Sequence, residues 1–315
     1  MPAVLVYAAE AAEIAAHIRA ALPAERVLTA SDLPALEAAL AEAPDVAFST
    51  KSPELPAEGH HRILSTPSLR WFHVGGSGYE HIAGQWDPER VTVTNSAGVL
   101  APFLAETCLG VLLALNHKLL AYRENQRARL WRPIPFRPLA GQRLLIVGAG
   151  AIGGALSARA AGLGMRVTAL RRSGQAVPGA ERVLPPAAFW EALPEADAVS
   201  VHLRLTPDTE GLFDARAFGA MRPGALFLNT ARGGHVVETD LIAALVSGHL
   251  GGAYVDVTRT EPLPPESPLW DAPNLLISPH NADGVEDWLA RFAEFFVGNL
   301  KAWRAGRPLR NPVQA

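Results

Sequence analysis

Cysteine is nearly absent from this sequence, because Cys108 is the only one among 315 residues. An internal disulfide is therefore excluded, and the composition fits a reducing compartment. The apolar neighbours of Cys108 predict a buried, unreactive thiol. Charge is also sparse, at 19% of residues with a net charge of -3 and a pI of about 6.4. Without a basic excess, we expect no nucleic-acid partner and no membrane partner.

Long apolar runs are missing as well. No window of about 18 uninterrupted apolar residues occurs, so we expect no membrane-spanning segment. The first residues lack a basic leader, and Glu10, Glu13 and His17 interrupt their apolar stretch, which is not the pattern of a secretory signal. We therefore expect a cytoplasmic location. The hydrophobic content of 49% is that of a globular chain, and the length favours two domains.

What the sequence does contain is short apolar strands that alternate with alanine-rich helices. This alternation predicts an α/β fold with parallel sheets covered on both faces. Long helices are predicted at about 103–129 and 285–303, and a proline-rich stretch at 131–138 shows neither pattern. We expect a helix at about 11–22 and strands at residues 3–7, 45–49, 69–74, 143–147, 166–170, 198–202, 226–229, 252–257 and 275–278.

A glycine-rich loop follows the strand at 143–147 and opens a helix at 151–161. Its residues are Gly148, Ala149, Gly150, Ala151, Ile152 and Gly153. Strand, GxGxxG and helix in this order form the dinucleotide fingerprint: the first glycine permits the tight turn, the second lets the backbone approach a pyrophosphate, and the third lets helix and strand pack. The helix N-terminus offers N–H groups to the phosphates. The alternative is a glycine-rich turn without a ligand.

The strand at 166–170 ends in Arg171, Arg172 and Ser173. An NAD enzyme usually has an acidic residue there, which accepts from the ribose 2′-hydroxyl. Two guanidinium groups and a hydroxyl would instead bind a 2′-phosphate. We therefore expect NADP(H) to be preferred and NAD(H) to be possible. Solvated surface charge is the alternative explanation for the two arginines.

Five stretches, of which the glycine-rich loop is the first, occur in a recognisable order. They are the loop at 148–153, LTPDTEGL at 205–212, NTARGG at 229–234, Asp256-Val257 with EPLP at 261–264, and SPLW at 267–270 followed by SPHNA at 278–282. With these motifs the sequence resembles the D-isomer-specific 2-hydroxyacid dehydrogenases, in particular the glyoxylate and hydroxypyruvate reductases, over nearly its whole length. The resemblance implies a Rossmann dinucleotide-binding domain, residues 100–284, inserted into a flavodoxin-like substrate domain, residues 1–99 with 285–315. We expect the chemistry in the cleft between them.

The resemblance implies three catalytic residues, and their chemistry suits the reduction of a keto acid. Arg232 follows a strand, where a guanidinium can hold the substrate carboxylate and polarise the carbonyl. His280 also follows a strand and is the natural general acid near neutral pH. Glu261 would hydrogen-bond the other ring nitrogen and favour the charged imidazole. Each residue taken alone could have an ordinary structural role.

The resemblance also assigns binding roles. The substrate carboxylate would be bound by backbone N–H groups of the loop Gly76, Ser77 and Gly78. The guanidinium of Arg232 would bind the same carboxylate. Thr206 lies in the loop beside the cofactor, and Asp256 with the carbonyl of Ala231 would orient the nicotinamide amide. The tandem His60-His61 lacks Cys or acidic partners, so we predict no metal site.

Several residues depart from the family pattern. Thr258 replaces an aromatic residue, Arg204 replaces a proline, and His235 replaces an apolar residue. These departures concern the identity of the substrate more than the type of reaction. Leu100, Trp131 and Trp288 are candidates for lining the substrate pocket, with core packing as the alternative.

The leading hypothesis is an NADPH-dependent reductase of glyoxylate, hydroxypyruvate or a similar keto acid that acts as a homodimer through the helix after Pro102. Another branch of the family, such as phosphite dehydrogenase, is one alternative. A dinucleotide-sensing corepressor is the alternative from a different functional class.

Overall fold

The computed structural model describes residues 2–52 and 54–313. The chain divides into two compact units, one made of Met1–Leu100 with Val285–Ala315 and the other of Ala101–Gly284. Each unit contains its own parallel sheet with helices packed on it. The predicted fold class, two doubly wound α/β domains, is confirmed.

The sheet of the first unit has the strand order β2-β1-β3-β4-β5, and all of its pairs are parallel. This is the flavodoxin-like order. Strands β1, β3 and β4 are buried on both faces, which explains why their sequences are continuous rather than alternating. The elements are β1 Val4–Tyr7, α1 Ala11–Ala21, β2 Val27–Ala30, α2 Leu33–Ala41, β3 Val46–Ser49, α3 Ala57–Ser65, β4 Trp71–Val74, β5 Thr92–Asn95 and α10 Trp288–Arg304.

The second unit has a seven-stranded parallel sheet in the order β12-β11-β10-β9-β6-β7-β8. The order reverses between β6 and β9, which creates the switch point where open α/β sheets bind ligands. Its strands are β6 Arg143–Val147, β7 Arg166–Leu170, β8 Ala180–Leu184, β9 Ala198–Val201, β10 Ala225–Asn229, β11 Leu250–Val255 and β12 Leu275–Ile277. Its helices are α4 Ala101–Asn116, α5 Leu119–Arg127, α6 Ala151–Gly162, α7 Phe189–Ala192, α8 Ala215–Ala220 and α9 Glu238–Val246.

The prediction of one long helix at 103–129 was wrong. The helix breaks into α4 and α5, which are bent by 58°, and Lys118 at the break has a left-handed φ of 60°. The side chain of Asn116 is held in place, because it donates to Arg137 O at 2.5 Å and accepts from Gln142 Nε2 at 2.9 Å. Helix α4 packs into the core of this unit, whereas α5 buries no residue. The break thus lies where the core ends.

Three strands were not predicted: β2, β5 and β8. Strands β2 and β5 each have four residues, and one residue in each is exposed, so neither shows a clear apolar run. Strand β8 lies at the edge of its sheet and has two exposed charged residues, Glu181 and Arg182. Such strands form because a neighbouring strand offers hydrogen bonds, which local patterning does not reveal.

Among the described residues, no single helix is long and apolar enough to cross a membrane. The bent pair α4 and α5 passes that test only when its two helices are joined, by length and composition alone.

Candidate active site

The glycine loop connects β6 to α6 at the switch point of the second sheet. Gly148 has a φ of 101°, and a Cβ there would lie 2.6 Å from the carbonyl oxygen of His202. A Cβ on Gly153 would lie 2.6 Å from Gly148 O and 2.8 Å from Ile146 Cγ2. Both positions therefore require glycine, the first for its backbone conformation and the second for the contact of α6 with the loop and β6.

Gly150 differs from its two neighbours in the motif. A Cβ at this position would meet no atom within 4 Å, so packing does not explain the glycine. The open space lies at the start of α6, where the first N–H groups have no acceptor within the helix. An unobstructed backbone at a helix N-terminus fits the pyrophosphate of a dinucleotide. Gly150, Ala151 and Ile152 would hold it there.

The arginine pair lies beside this loop. The Ala149 N–H donates to Leu170 O at 2.9 Å, which joins the loop to the end of β7. The next residue, Arg171, contacts Gln175 Oε1 at 3.1 Å and Ala176 O at 3.5 Å through its guanidinium. Arg172 and Ser173 are exposed. The end of β7 thus presents two guanidinium groups and a hydroxyl without an acidic residue.

The sequence did not indicate a role for His202, which follows β9. Its carbonyl oxygen packs against Gly148 of the glycine loop. Its Nε2 lies 2.9 Å from Ser200 Oγ, and its Nδ1 lies 3.3 Å from Thr230 Oγ1. Thr230 in turn contacts the buried Cys108 Sγ at 3.7 Å. Burial lowers the pKa of His202 to about 4 and raises the pKa of Cys108 to about 11. This network is therefore uncharged at neutral pH, and the predicted inert thiol agrees with it.

Arg232 follows β10 and precedes a short 3₁₀ helix, Gly233–His235. Its Nη1 donates to the carbonyl of Ala231 at 2.7 Å. A Cβ on Gly233 would lie 2.0 Å from the carbonyl carbon of Thr258, so the Arg232 turn packs directly on the backbone after β11. The glycine thus brings the Arg232 turn against the segment that leads to Glu261.

His280 and Glu261 contact one another. His280 Nδ1 lies 2.9 Å from Glu261 Oε2, and both side chains are close to half exposed. Glu261 is itself oriented, because its Oε1 accepts from the Thr258 N–H at 3.1 Å. His280 has a φ of 52°, a left-handed conformation that is rare for a histidine, and its N–H donates to Asp256 O at 2.7 Å. A strained backbone that its neighbours hold in place is typical of a functional position.

The Asp256 carboxylate supports the segment that follows β12. Its Oδ1 accepts from Ser278 Oγ at 2.5 Å and from the Asn281 N–H at 2.8 Å, and the residue is 3% exposed. Tyr254 donates to or accepts from the same Ser278 hydroxyl at 2.7 Å. Asp256 Oδ1 therefore fixes the backbone beside His280.

Thr206, the predicted residue beside the cofactor, is exposed. Its turn is closed by a hydrogen bond from the Thr206 N–H to Thr209 Oγ1.

A second residue missed from the sequence is Asp283, three positions after His280. It is half-buried, and burial raises the pKa of its carboxyl group. The Asp256 carboxylate raises that pKa further, whereas His280 and Arg232 lower it. Asp256, His280 and Arg232, which follow β11, β12 and β10, therefore lie within electrostatic reach of Asp283. Its position three residues after His280 is the sequence signal that could have indicated it.

The loop Gly76, Ser77 and Gly78 follows β4 in the first unit. The Gly76 N–H donates to Val74 O at 2.9 Å, so it is already used. Within the described ranges, the N–H groups of Ser77 and Gly78 donate no hydrogen bond, and the loop is held by Asn95 Nδ2 on Ser77 O at 2.8 Å. Two adjacent unused amides in a fixed loop suit an anion.

Of the residues that depart from the family pattern, two have a clear structural place. Thr258 orients Glu261, as described above. His235 is fully buried, with Nδ1 3.0 Å from Thr209 O and Nε2 3.2 Å from Leu203 O. It therefore connects the Arg232 turn to the loop that contains Thr206.

The three candidates for lining the substrate pocket differ in exposure. Trp131 is fully exposed, Leu100 is buried, and Trp288 is half-buried against Phe292.

No group of three or more His, Cys, Asp or Glu side chains in the described part of the chain could hold a metal ion. His60 is buried, with Nε2 3.3 Å from Thr50 O, and its neighbour His61 is exposed.

A family model described as the NAD-binding domain of D-isomer-specific 2-hydroxyacid dehydrogenases matches residues 109–282. The chain belongs to this family of oxidoreductases, as the motifs predicted.

Known proteins similar to this chain agree with that assignment. The glycerate dehydrogenase of Methylorubrum extorquens is 31% identical over 267 residues, which are 80% of this chain and 81% of that protein. A family member from Aeromonas salmonicida superposes with a TM-score of 0.87 at 32% identity over 99% of both chains. An NADPH-dependent glyoxylate/hydroxypyruvate reductase from Sinorhizobium meliloti, solved with NADP and sulfate, superposes with a TM-score of 0.85 at 26% identity, over 100% of this chain and 98% of that one.

Proposed function

We propose that this protein reduces a small 2-keto acid, such as glyoxylate or hydroxypyruvate, to the D-2-hydroxy acid and prefers NADPH. The observation that carries the proposal is the 2.9 Å contact between His280 Nδ1 and Glu261 Oε2. With Nδ1 engaged by a carboxylate, Nε2 is the nitrogen that can exchange a proton with the substrate. Arg232 lies on the neighbouring turn, so one edge of the sheet carries both a carboxylate clamp and a proton donor.

Each catalytic residue has a separate role in the proposed reaction. The hydride for the carbonyl carbon would come from the nicotinamide of the cofactor when it is bound. Arg232 binds the substrate carboxylate and polarises the carbonyl. His280 donates the proton from Nε2 to the carbonyl oxygen, and Glu261 holds the ring in the required orientation. In the reverse direction the neutral His280 accepts that proton.

The second unit is the dinucleotide-binding domain of this proposal, and the first unit is the substrate domain. Gly148, Gly150, Ala151, Ile152 and Gly153 bind the pyrophosphate. Thr206 borders the cofactor, and Asp256 and the Ala231 carbonyl orient the nicotinamide amide. In the substrate domain, the free amides of Ser77 and Gly78 assist Arg232 in binding the carboxylate, and Gly76 supports them by shaping the loop.

NADPH preference rests on Arg171, Arg172 and Ser173 at the end of β7. A 2′-phosphate there would gain charge-assisted hydrogen bonds, whereas the ribose hydroxyl of NADH lacks its usual acidic acceptor. Replacing both arginines (Arg171→Ala with Arg172→Ala) should raise the KM for NADPH by roughly tenfold or more and leave the KM for NADH nearly unchanged. Equal use of NADH and NADPH by the wild type would contradict the preference.

We also propose a homodimer that forms through the segment around α5. Large apolar side chains are exposed there, including Leu119 at 52%, Leu130 at 56% and Trp131 at 102%. Monomeric proteins rarely expose such a cluster. Light scattering on the wild type should give twice the mass of one chain, and Trp131→Glu should weaken the assembly. A monomeric wild type at micromolar concentration would refute this part.

The function is tested by mixing the purified protein with NADPH and a panel of acids, namely glyoxylate, hydroxypyruvate, pyruvate and phosphite, and following nicotinamide absorbance. We expect NADPH to be consumed with the keto acids and D-2-hydroxy acids to accumulate. Turnover with phosphite and NADP but with no keto acid would assign the chain to the other family branch. Tight NADPH binding without any turnover would favour a sensing role.

A further inference from the structure

Asp283 lies on a turn whose backbone is fixed from several sides. The His280 N–H and the Asn281 N–H donate to Asp256, at 2.7 Å to its carbonyl oxygen and at 2.8 Å to its carboxylate. The Ala282 carbonyl accepts from Thr107 Oγ1 at 2.7 Å, and the Ala282 side chain is buried. The position of Asp283 is therefore set by α4, β11 and the turn itself rather than by solvent.

The end of that turn is equally constrained. The Gly284 N–H donates to Asn281 O at 3.0 Å, and a Cβ on Gly284 would lie 2.1 Å from Asn281 Oδ1. The segment from His280 to Gly284 is thus a closed turn with little freedom. The backbone of Asp283 therefore keeps a fixed position relative to the backbone of His280.

Among the residues that the structure describes, none forms an ion pair with the carboxylate of Asp283. No side chain in that part of the chain donates a hydrogen bond to it either. The charged groups whose fields reach it are Asp256, His280 and Arg232. Two other carboxylates lie at this edge and are already engaged in the described structure: Asp256 Oδ1 accepts from Ser278 and Asn281, and Glu261 contacts His280 and Thr258. Asp283 is therefore the further acidic group on the turn that carries the proposed proton donor.

We propose that Asp283 is a specificity-determining residue that excludes substrates with a second negative charge. This inference rests on the proposed function, since it assumes that the keto acid lies between Arg232 and His280. A half-buried negative charge repels a distal carboxylate or phosphate far more than a solvated one does, because the local dielectric constant is lower. The site therefore accepts monoanionic 2-keto acids and disfavours dicarboxylates and phosphorylated acids.

The test compares two acids of the same chain length, 2-oxobutanoate and oxaloacetate, which differ by a methyl group against a carboxylate. The wild type should prefer 2-oxobutanoate in kcat/KM, and Asp283→Asn should reduce that preference by roughly tenfold. Asp283→Glu retains the charge and should keep the wild-type ratio. Glu181→Gln removes the same charge at the opposite edge of the sheet, where Glu181 pairs with Arg166, and should leave all rates unchanged.

The binding of both acids to the protein–NADPH complex, followed by nicotinamide fluorescence, separates this inference from the proposed function. If neither these two acids nor any keto acid of the panel is reduced but the affinity ratio of the two acids falls in Asp283→Asn, the reductase assignment fails and the role of Asp283 stands. If keto acids are reduced but the ratio is the same in wild type and Asp283→Asn, the role of Asp283 is refuted while the function stands. If neither acid binds and no keto acid of the panel is reduced, both proposals are refuted.

Discussion

The carboxylate of Asp256 accepts a hydrogen bond from the backbone N–H of Asn281 at 2.8 Å, across 25 residues of sequence. The end of β11 thereby holds the turn that carries His280. Because β11 and β12 are parallel neighbours, their carboxyl ends meet at one edge, and Glu261 in the connecting segment reaches His280 there. Four predictions follow from this arrangement and from the rest of the fold.

The imidazole and its carboxylate partner should contribute to kcat in different degrees. His280→Asn removes the proton donor and should lower kcat by roughly 10²–10⁴-fold. Glu261→Ala removes only the group that orients the ring and should cost about 10–100-fold, with Glu261→Gln in between because its amide oxygen can still accept. Steady-state kinetics with saturating NADPH measure both effects. An active His280→Asn enzyme would remove the basis of the proposed mechanism.

Replacement by alanine should affect stability at Gly153 and cofactor binding at Gly150. Gly153→Ala places a methyl group against Gly148 O and Ile146, so it should destabilise the fold by about 1–3 kcal/mol. Gly150→Ala fills open space and should leave the Tm unchanged while raising the Kd for NADPH severalfold or more. Gly154→Ala, also in open space but inside α6, serves as the control for both. Unchanged NADPH binding in Gly150→Ala would show that no phosphate lies there.

Buried histidines should make the protein sensitive to acid. His73 is fully buried between Thr94 and Ser96, and burial lowers its pKa to about 3. The unfolded chain binds a proton at this residue near pH 6.5, whereas the folded protein does not until about pH 3, so stability is present above 6.5 and falls as the pH drops between these values.

His73 alone should contribute a slope of up to about 1.4 kcal/mol per pH unit in that range. Urea unfolding at several pH values measures this slope. His73→Asn should reduce it, and the same change at exposed His61 should not. A stability that is flat from pH 6.5 to 4.5 would contradict the prediction.

His235 should matter for cofactor binding more than for the fold. Its two ring nitrogens contact the carbonyls of Leu203 and Thr209, at the two ends of the loop around Thr206. His235→Leu places an apolar side chain in the same buried position and loses both contacts, so we expect the KM for NADPH to rise severalfold with a smaller change in kcat. His235→Gln, which can restore one hydrogen bond, should recover part of the loss. Equal KM values in wild type and His235→Leu would give this histidine a packing role only.

The sequence alone determined the fold class, the family and the order of the motifs. These features are local: a buried parallel strand is a short apolar run, and the GxGxxG turn needs glycine at fixed positions whatever surrounds it. The residue types of Arg232, Glu261 and His280 likewise indicated their chemistry before any contact was known.

The tertiary structure decided what depends on partners distant in the chain. The break at Lys118 follows from hydrogen bonds of Asn116 to residues 137 and 142, and strand β8 follows from the edge that β7 offers. No local pattern marks His202, His235 or Asp283, because their roles arise from burial and from charges brought together by the sheet. The family resemblance implied the contact of His280 with Glu261, but its physical cause is tertiary, since the parallel register of β11 and β12 brings the two side chains to one edge.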